Sequence, residues 1–251
     1  MPESRSLSPA SKLLIIVATY NELENLPQLV AQLEELLPDA DLLVIDDNSP
    51  DGTGNWCDQR RQTDSRLSVI HRPGKLGLGS ATVTGFEYGL QHDAGYQLLA
   101  TMDADFSHDP KSLVDLVEFL RADQEVKFGG AIGSRYVPGG GIENWPLLRH
   151  ISSRAVNFVA RMLLGLKTKD NSGAFRVYRA ATLETIDVGK VESSSFAYLE
   201  EILWRIRREN ITMKELPITF RDREHGASKT SLRLGVSVFW HLIRIRLGLV
   251  K

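Results

Sequence analysis

Cysteine is almost missing from this sequence: Cys57 is the only one in 251 residues, so no disulfide can form within the chain. That suits a reducing compartment. Long apolar runs are missing too, since no stretch approaches the roughly 20 uncharged residues of a membrane-spanning helix. Neither sign of charge is in excess, the formal net charge being −2. Nothing global attracts nucleic acid, and none is expected as a partner. The lone cysteine and six histidines show no zinc spacing. There is no GxSxG elbow and no Walker sequence closing on GK[ST]. Residues 1–11 (MPESRSLSPAS) lack the apolar core of a signal peptide and are expected to be a disordered leader.

What is present reads as one α/β domain. Segments 13–18 (LLIIVA), 42–45 (LLVI), 67–70 and 97–102 are of strand length and rich in apolar residues, as strands covered on both faces are. Leu23, Leu26, Leu29, Val30, Leu33, Leu36 and Leu37 recur at helical spacing and Pro38 closes the run. Further helices are expected over 79–91 and 110–120, the latter with Pro110 in its first turn. This alternation predicts a mostly parallel, doubly wound sheet flanked by helices. The second half predicts strands over 128–133, 174–178 and 211–220 and helices over 146–164 and 198–208, with a glycine-rich loop at 139–141. No repeat or linker interrupts it.

In such sheets ligands bind beyond the carboxyl ends of the strands, where the polar clusters of this chain fall. TYNE (19–22) follows the first strand, DDNSPDGT (46–53) the second and DADFSH (103–108) the fourth. Asp103, Asp105 and Ser107 stand at positions 1, 3 and 5 of a calcium loop of the EF-hand kind. His108 and Val114 occupy the places of its glycine and glutamate, which excludes it. Asp109 before Pro110 reads as a helix cap. A polar turn does not explain Asp103 and Asp105, because carboxylates leaving a buried strand are costly without a cation or donors. Hard oxygen ligands of this kind suit Mg²⁺ or Mn²⁺ shared with a diphosphate. Asp46 and Asp47 read equally as a turn or as acceptors for a base or ribose. GKLGLG (74–79), with Arg72 and Lys75, reads as an anion-facing loop before a helix. Arg135, Arg149, Arg176, Arg223 and Lys229 each read singly as surface residues. The segment carrying Arg223 and Lys229 suits a loop that closes over a substrate.

Taken together, VATYNE, DDNSPDGT, GKLGLGSA, DADFSH, GSRYVPGGG with NWPLLR, DNSGAFRVYR, and ELPITF followed by R-x-x-G-x-SK resemble the family 2 glycosyltransferases of GT-A fold. More narrowly they resemble the dolichol- or polyprenol-phosphate mannose synthases. The motifs run in family order from Ile15 to Lys229. The resemblance implies that mannose moves from GDP-mannose to a polyprenyl (dolichyl) phosphate, giving the lipid-linked sugar and GDP. It places the guanosine on Ala18, Tyr20, Glu22, Ile45 and Asp47. Asp103, Ala104, Asp105 and Ser107 would surround the diphosphate and its Mg²⁺ or Mn²⁺, with Asp105 a direct ligand and Ser107 a second. Arg135, Arg223 and Lys229 would meet the donor phosphates or sugar, and Arg149 and Ser153 the acceptor phosphate. Asp105, Arg135 and Arg149 are the expected catalytic residues. Ala18 stands where the family has proline and Leu199 where it has glutamine. Glu201 keeps an acidic position of open role, and the transmembrane pairs of some relatives are absent. The alternatives are transfer of glucose or another sugar from a UDP-sugar, and a nucleotide-sugar-binding protein without catalysis.

A phosphate acceptor is already anionic at neutral pH, its second pKa being about 6, so no general base is expected. The acceptor also implies a membrane. The catalytic domain is expected over 12–231 and a tail helix over 232–251. In that tail Arg233, Ser237, His241, Arg244, Gly248 and Lys251 form a polar stripe on an otherwise apolar helix that includes Phe239 and Trp240. Two readings stand: a helix packed on the sheet, or an interfacial helix on a membrane. The second makes the protein peripheral on the cytoplasmic face of a membrane, with the need for a membrane-embedded partner subunit left open.

Overall fold

The computed structural model describes residues 11–222 and 232–250. In chain order the first half runs β1 (Leu13–Thr19), α1 (Leu26–Leu36), β2 (Asp41–Asp46), α2 (Thr53–Arg60), β3 (Leu67–His71), α3 (Leu78–Gln91), β4 (Leu98–Met102) and α4 (Pro110–Ala122). The second half runs β5 (Gly130–Ser134), β6 (Gly141–Glu143), α5 (Leu147–Leu164), β7 (Arg176–Arg179), α6 (Ala180–Thr185), α7 (Tyr198–Arg208), β8 (Met213–Pro217), β9 (Thr219–Arg221) and α8 (Leu232–Arg246). Seven strands form one sheet in the order β3-β2-β1-β4-β7-β5-β8. All pair in parallel except β7, which is antiparallel to both neighbours.

This is the predicted sheet, and its registers position the site. Thr19 lies beside Asp46, and Val17 beside Met102, so β1, β2 and β4 end on one edge. The order switches direction between β1 and β4, the point at which open α/β sheets open a crevice. The antiparallel β7 starts at that same edge and β5 ends there. Residues 134–136 and 170–176 therefore join the three polar loops. Apolar clusters cover both sheet faces: Leu13, Ile15, Val17, Leu29, Leu113 and Val117 on one, Leu14, Ile16, Phe86, Tyr178 and Ile202 on the other.

Three local expectations are revised. The helical periodicity from Leu23 overran the true start, because Asn25 and Leu26 donate their N–H groups to Glu22 O in a tight turn first. Helix α2 was hidden by the turn formers before it and by its own polarity, although Cys57 on it is fully buried. The strand expected over 211–220 divides at Ile218. Pro217 has no N–H to continue a ladder, and β9 leaves to pair with β6 in a separate two-stranded sheet.

The tail helix packs against the body of the protein. Val238, Leu242 and Ile245 of α8 pack with Ala160 and Leu164 of α5 and Leu203 of α7. His241, expected on an outward polar stripe, is instead buried, with Nε2 2.8 Å from Glu201 Oε2. Phe239 and Trp240 remain exposed.

Candidate active site

The loops after β1 and β2 are one hydrogen-bonded unit. Asn21 N–H donates to Ser49 Oγ, Glu22 N–H to Thr53 Oγ1 and Leu23 N–H to Asp51 Oδ2. Asn21 and Asn48 take positive φ (58° each) there, a region asparagine tolerates. Burial pushes the Asp51 carboxyl up, but its bonds from Thr53 and Leu23 outweigh that and leave it below the ordinary value. The two aspartates ending β2 separate into different jobs. Asp46 is buried and ties the turn through Thr19 Oγ1 and Ser49 N–H. Asp47 instead accepts from Arg72 Nε at 2.5 Å. Glu22 accepts from Asn25 Nδ2, and the Lys75 ammonium sits 3.3 Å from the Tyr20 ring centroid. Ala18 is half-buried at the end of β1. Ile45 is a correction: it is fully buried in the core and presents no surface to a nucleoside.

Two glycines of GKLGLG serve packing. Gly79 N–H, at the start of α3, donates to Ser194 O at 2.9 Å. A Cβ on Gly77, whose φ is +99°, would lie 2.1 Å from that carbonyl oxygen, and one on Gly79 2.3 Å from Ser193 O. These glycines admit the 193–195 backbone. Arg72 is spent on Asp47, Ser80 Oγ and Gly77 O.

Beyond β4, the DADFSH loop is held from below by His108. Its ring is buried, stacks on Phe175 with centroids 4.7 Å apart, and accepts from Asp103 N–H through Nδ1 at 3.4 Å. Burial holds the imidazole below its ordinary value despite Asp103 and Asp105 nearby. Phe106 takes φ 58°, and Ser107 N–H donates to Asp105 Oδ1 at 3.0 Å. Ala104 is buried, while the Asp103 side chain is 32% exposed. Ser107 Oγ is buried with no hydrogen-bond partner. An orphaned hydroxyl beside a carboxylate is a ready pair of hard oxygen ligands. Among the described residues no group of three His, Cys, Asp or Glu gathers for a metal. Hard oxygen donors of this kind suit Mg²⁺ or Mn²⁺, which commonly take further ligands from a diphosphate and water. Asp109 caps α4 as expected, accepting from Lys111 N–H.

The arginines divide. Arg135 is buried and its N–H, Nε and Nη2 all donate to Asp170 at 2.7–3.0 Å. Burial opposes its charge, but Asp170 holds the guanidinium above and the carboxyl below their ordinary values. Arg135, expected to meet the donor phosphates or sugar, is thus already paired with a buried carboxylate. Arg176, read singly as a surface residue, is wholly buried and donates to Leu199 O, Asn171 O and Tyr178 OH. Arg149 lies over the Trp145 ring at 4.1 Å and gives only Nη1 to Asp222. Ser153, one turn further along α5, bonds Tyr136 Oη at 2.7 Å, so the two expected acceptor contacts share a helix face. Arg223 and Lys229 lie outside the described residues.

Glu201 proves to be a junction. It accepts from the N–H groups of Glu192 and Ser193, from Arg205 and from His241, which together outweigh burial and hold it below its ordinary value. It thereby joins the segment packed on GKLGLG to the tail helix. Its neighbour Glu200 is buried, with Oε2 unpartnered, and burial raises it to about 7.

The chain belongs to glycosyl transferase family 2, whose model matches residues 14–187. Among curated relatives, an undecaprenyl-phosphate mannosyltransferase of Micrococcus luteus is 41% identical over 95% of this chain and 100% of that protein. A polyprenol monophosphomannose synthase of Mycolicibacterium smegmatis is 41% identical over 90% of this chain and 83% of its own. Solved structures share the fold, which is GT-A. A glucosyl-3-phosphoglycerate synthase from Mycobacterium tuberculosis superposes with TM-score 0.66 at 13% identity, over 96% of this chain and 80% of that one. A mannosyltransferase from Pyrobaculum calidifontis in complex with GDP-Man and Mn²⁺ gives 0.56 at 16% identity, over 100% and 65%.

Proposed function

We propose that this glycosyltransferase moves mannose from GDP-mannose to a polyprenyl phosphate, releasing GDP with inversion at the anomeric carbon. The observation that carries the reading is the 41% identity, across nearly the whole chain, to two enzymes named for mannosyl transfer to such lipids. The donor choice is supported by the shared fold with a mannosyltransferase solved with GDP-Man and Mn²⁺.

Glu22, Asp47 and the Tyr20–Lys75 pair would receive the nucleoside on the laced β1–β2 loops, with Asp103 beside the donor. Asp105 and Ser107 would hold a divalent ion. When bound, it supplies positive charge to the departing diphosphate. Arg149 and Ser153 would seat the acceptor phosphate, with Arg149 Nε and Nη2 still available beside Asp222. An acceptor phosphate oxygen attacks the anomeric carbon in line, one C–O bond forming as the bond to GDP breaks. The acceptor carries no proton that must be removed, so no base is needed. The buried Arg135–Asp170 pair keeps the loop walls rigid and Arg223 and Lys229 supply the remaining cations. The acceptor keeps the protein at the cytoplasmic face of a membrane as a peripheral enzyme. No helix among the described residues is long and apolar enough to cross a bilayer.

The test is a donor panel of GDP-mannose, UDP-glucose and UDP-N-acetylglucosamine with undecaprenyl and dolichyl phosphate, reading lipid-linked sugar. GDP-mannose should dominate. Asp105→Ala at saturating Mn²⁺ should lose at least about a hundredfold in rate. Preference for a UDP-sugar, or near-normal transfer by the variant, would overturn the reading.

A further inference from the structure

Helix α5 carries an unusual outer surface. Leu148, Ile151, Phe158 and Met162 recur at spacings of three, seven and four and are 57–76% exposed. They form an apolar ridge along one side of the helix. Along the flank of that ridge a cavity of about 370 Å³ opens between α5 and the loop from β5 to β6. Arg154 and Arg161, two turns apart on α5, line it with Lys169, Tyr136, Asn157 and Phe158.

None of those three cations has an ion pair among the described residues. The carboxylates nearby are already committed. Asp170 is taken by Arg135, and Glu215 by Ser134 Oγ and the backbone N–H groups of Lys169 and Asp170. These three side chains are exposed, and together they give the open cavity a positive potential that favours an anion. The setting tells which anion. Phe158 belongs both to the cavity wall and to the ridge, so a ligand seated here lies beside exposed apolar surface. Basic side chains flanking an apolar helix face belong at headgroup level of a bilayer. Arg149 and Ser153 are not part of the lining, but Tyr136 of the lining bonds Ser153 and the paired Arg135 also lines it, so the cavity adjoins the acceptor position.

We propose that this cavity binds the phosphate of an anionic bilayer lipid headgroup, seating the α5 ridge in the membrane next to the acceptor position. The inference rests on the reading of the protein as a peripheral membrane enzyme, yet its test needs no turnover. Full-length protein is floated with vesicles of phosphatidylcholine alone and of phosphatidylcholine with about 30% phosphatidylglycerol. Wild type should prefer the anionic vesicles. Each basic residue near such a surface strengthens binding about fivefold, so R154Q/R161Q/K169Q should lose on the order of a hundredfold and keep only its phosphatidylcholine binding. F158S/M162S should lose binding to both. Circular dichroism and R154K/R161K, which should retain the preference, guard against misfolding.

An anionic preference that survives in the triple variant would refute the proposal. A raised KM for polyprenyl phosphate in detergent micelles would instead assign the cavity to the acceptor. Release from vesicles by millimolar glycerol phosphate would make it a site for free phosphate. Failure of the transferase reading is told apart, because it abolishes lipid-linked sugar with every donor and leaves the vesicle comparison standing.

Discussion

Asp170 sits under the site with its carboxylate sealed from water, and its replacement by asparagine isolates one term of the fold's energetics. The side chains of Arg135 and Asp170 are 7% and 0% exposed, and three donors of Arg135 converge on the two carboxylate oxygens. Asparagine keeps the volume and removes the charge, so a buried guanidinium is left uncompensated. Breaking such a pair from one side costs about 3–5 kcal/mol. In a chain of this length each kcal/mol shifts the melting temperature by about 2–4 °C, so Asp170→Asn should melt about 10 °C lower. Removing both charges together, as in Arg135→Met with Asp170→Leu, should recover most of the loss. The pH dependence has a definite sign. Arg135 depresses the folded-state pKa of Asp170 below its ordinary 3.8, so this stability is complete above that value. It is lost as the pH falls through the depressed folded value, and the gap between wild type and variant should narrow there. Scanning calorimetry reads both effects. A melting temperature at neutral pH within about 2 °C of wild type would refute the assignment of Arg135 as a neutralised strut.

Ser107→Ala should separate binding from folding. The Ser107 hydroxyl is buried without a partner, so its loss should leave stability within about 0.5 kcal/mol, while transfer at limiting Mn²⁺ falls. A matching fall in melting temperature would mean that the hydroxyl is structural. Cys57, raised to about 12 by burial and by Asp46 and Asp58, should resist a disulfide reagent at pH 8 in the native protein and react at once in urea. Fast native labelling would show that α2 opens. Removal of the Glu201 partner by His241→Ala should make the tail helix more sensitive to limited proteolysis. Unchanged cleavage would leave the tail held by Val238, Leu242 and Ile245 alone.

Periodicity and apolar runs were enough to read the sheet of the first half, because a strand buried on both faces must be continuously apolar. Turn chemistry and strand ends likewise located the three polar loops. The division of labour inside them was not legible. Asp46 and Asp47 are identical in sequence terms, and only the fold turns one inward to Thr19 and the other toward Arg72. The packing use of Gly77 and Gly79 in GKLGLG was not legible either, because the 193–195 backbone they admit lies more than a hundred residues further along the chain.

Sequence alone thus determined the class of fold and the three polar loops that gather at one edge of the sheet, among them the oxygen-bearing side chains of Asp103, Asp105 and Ser107. These follow from local rules, in which each residue type answers to its neighbours along the chain. Tertiary structure decided which charges are free to act. Arg135 and Arg176 are buried struts, Arg149 keeps open donors, and Arg154, Arg161 and Lys169 stand unmatched around a cavity. A charge is neutralised by whatever the fold brings within a few ångströms, and contacts across 35 residues, as from Arg135 to Asp170, have no local signature.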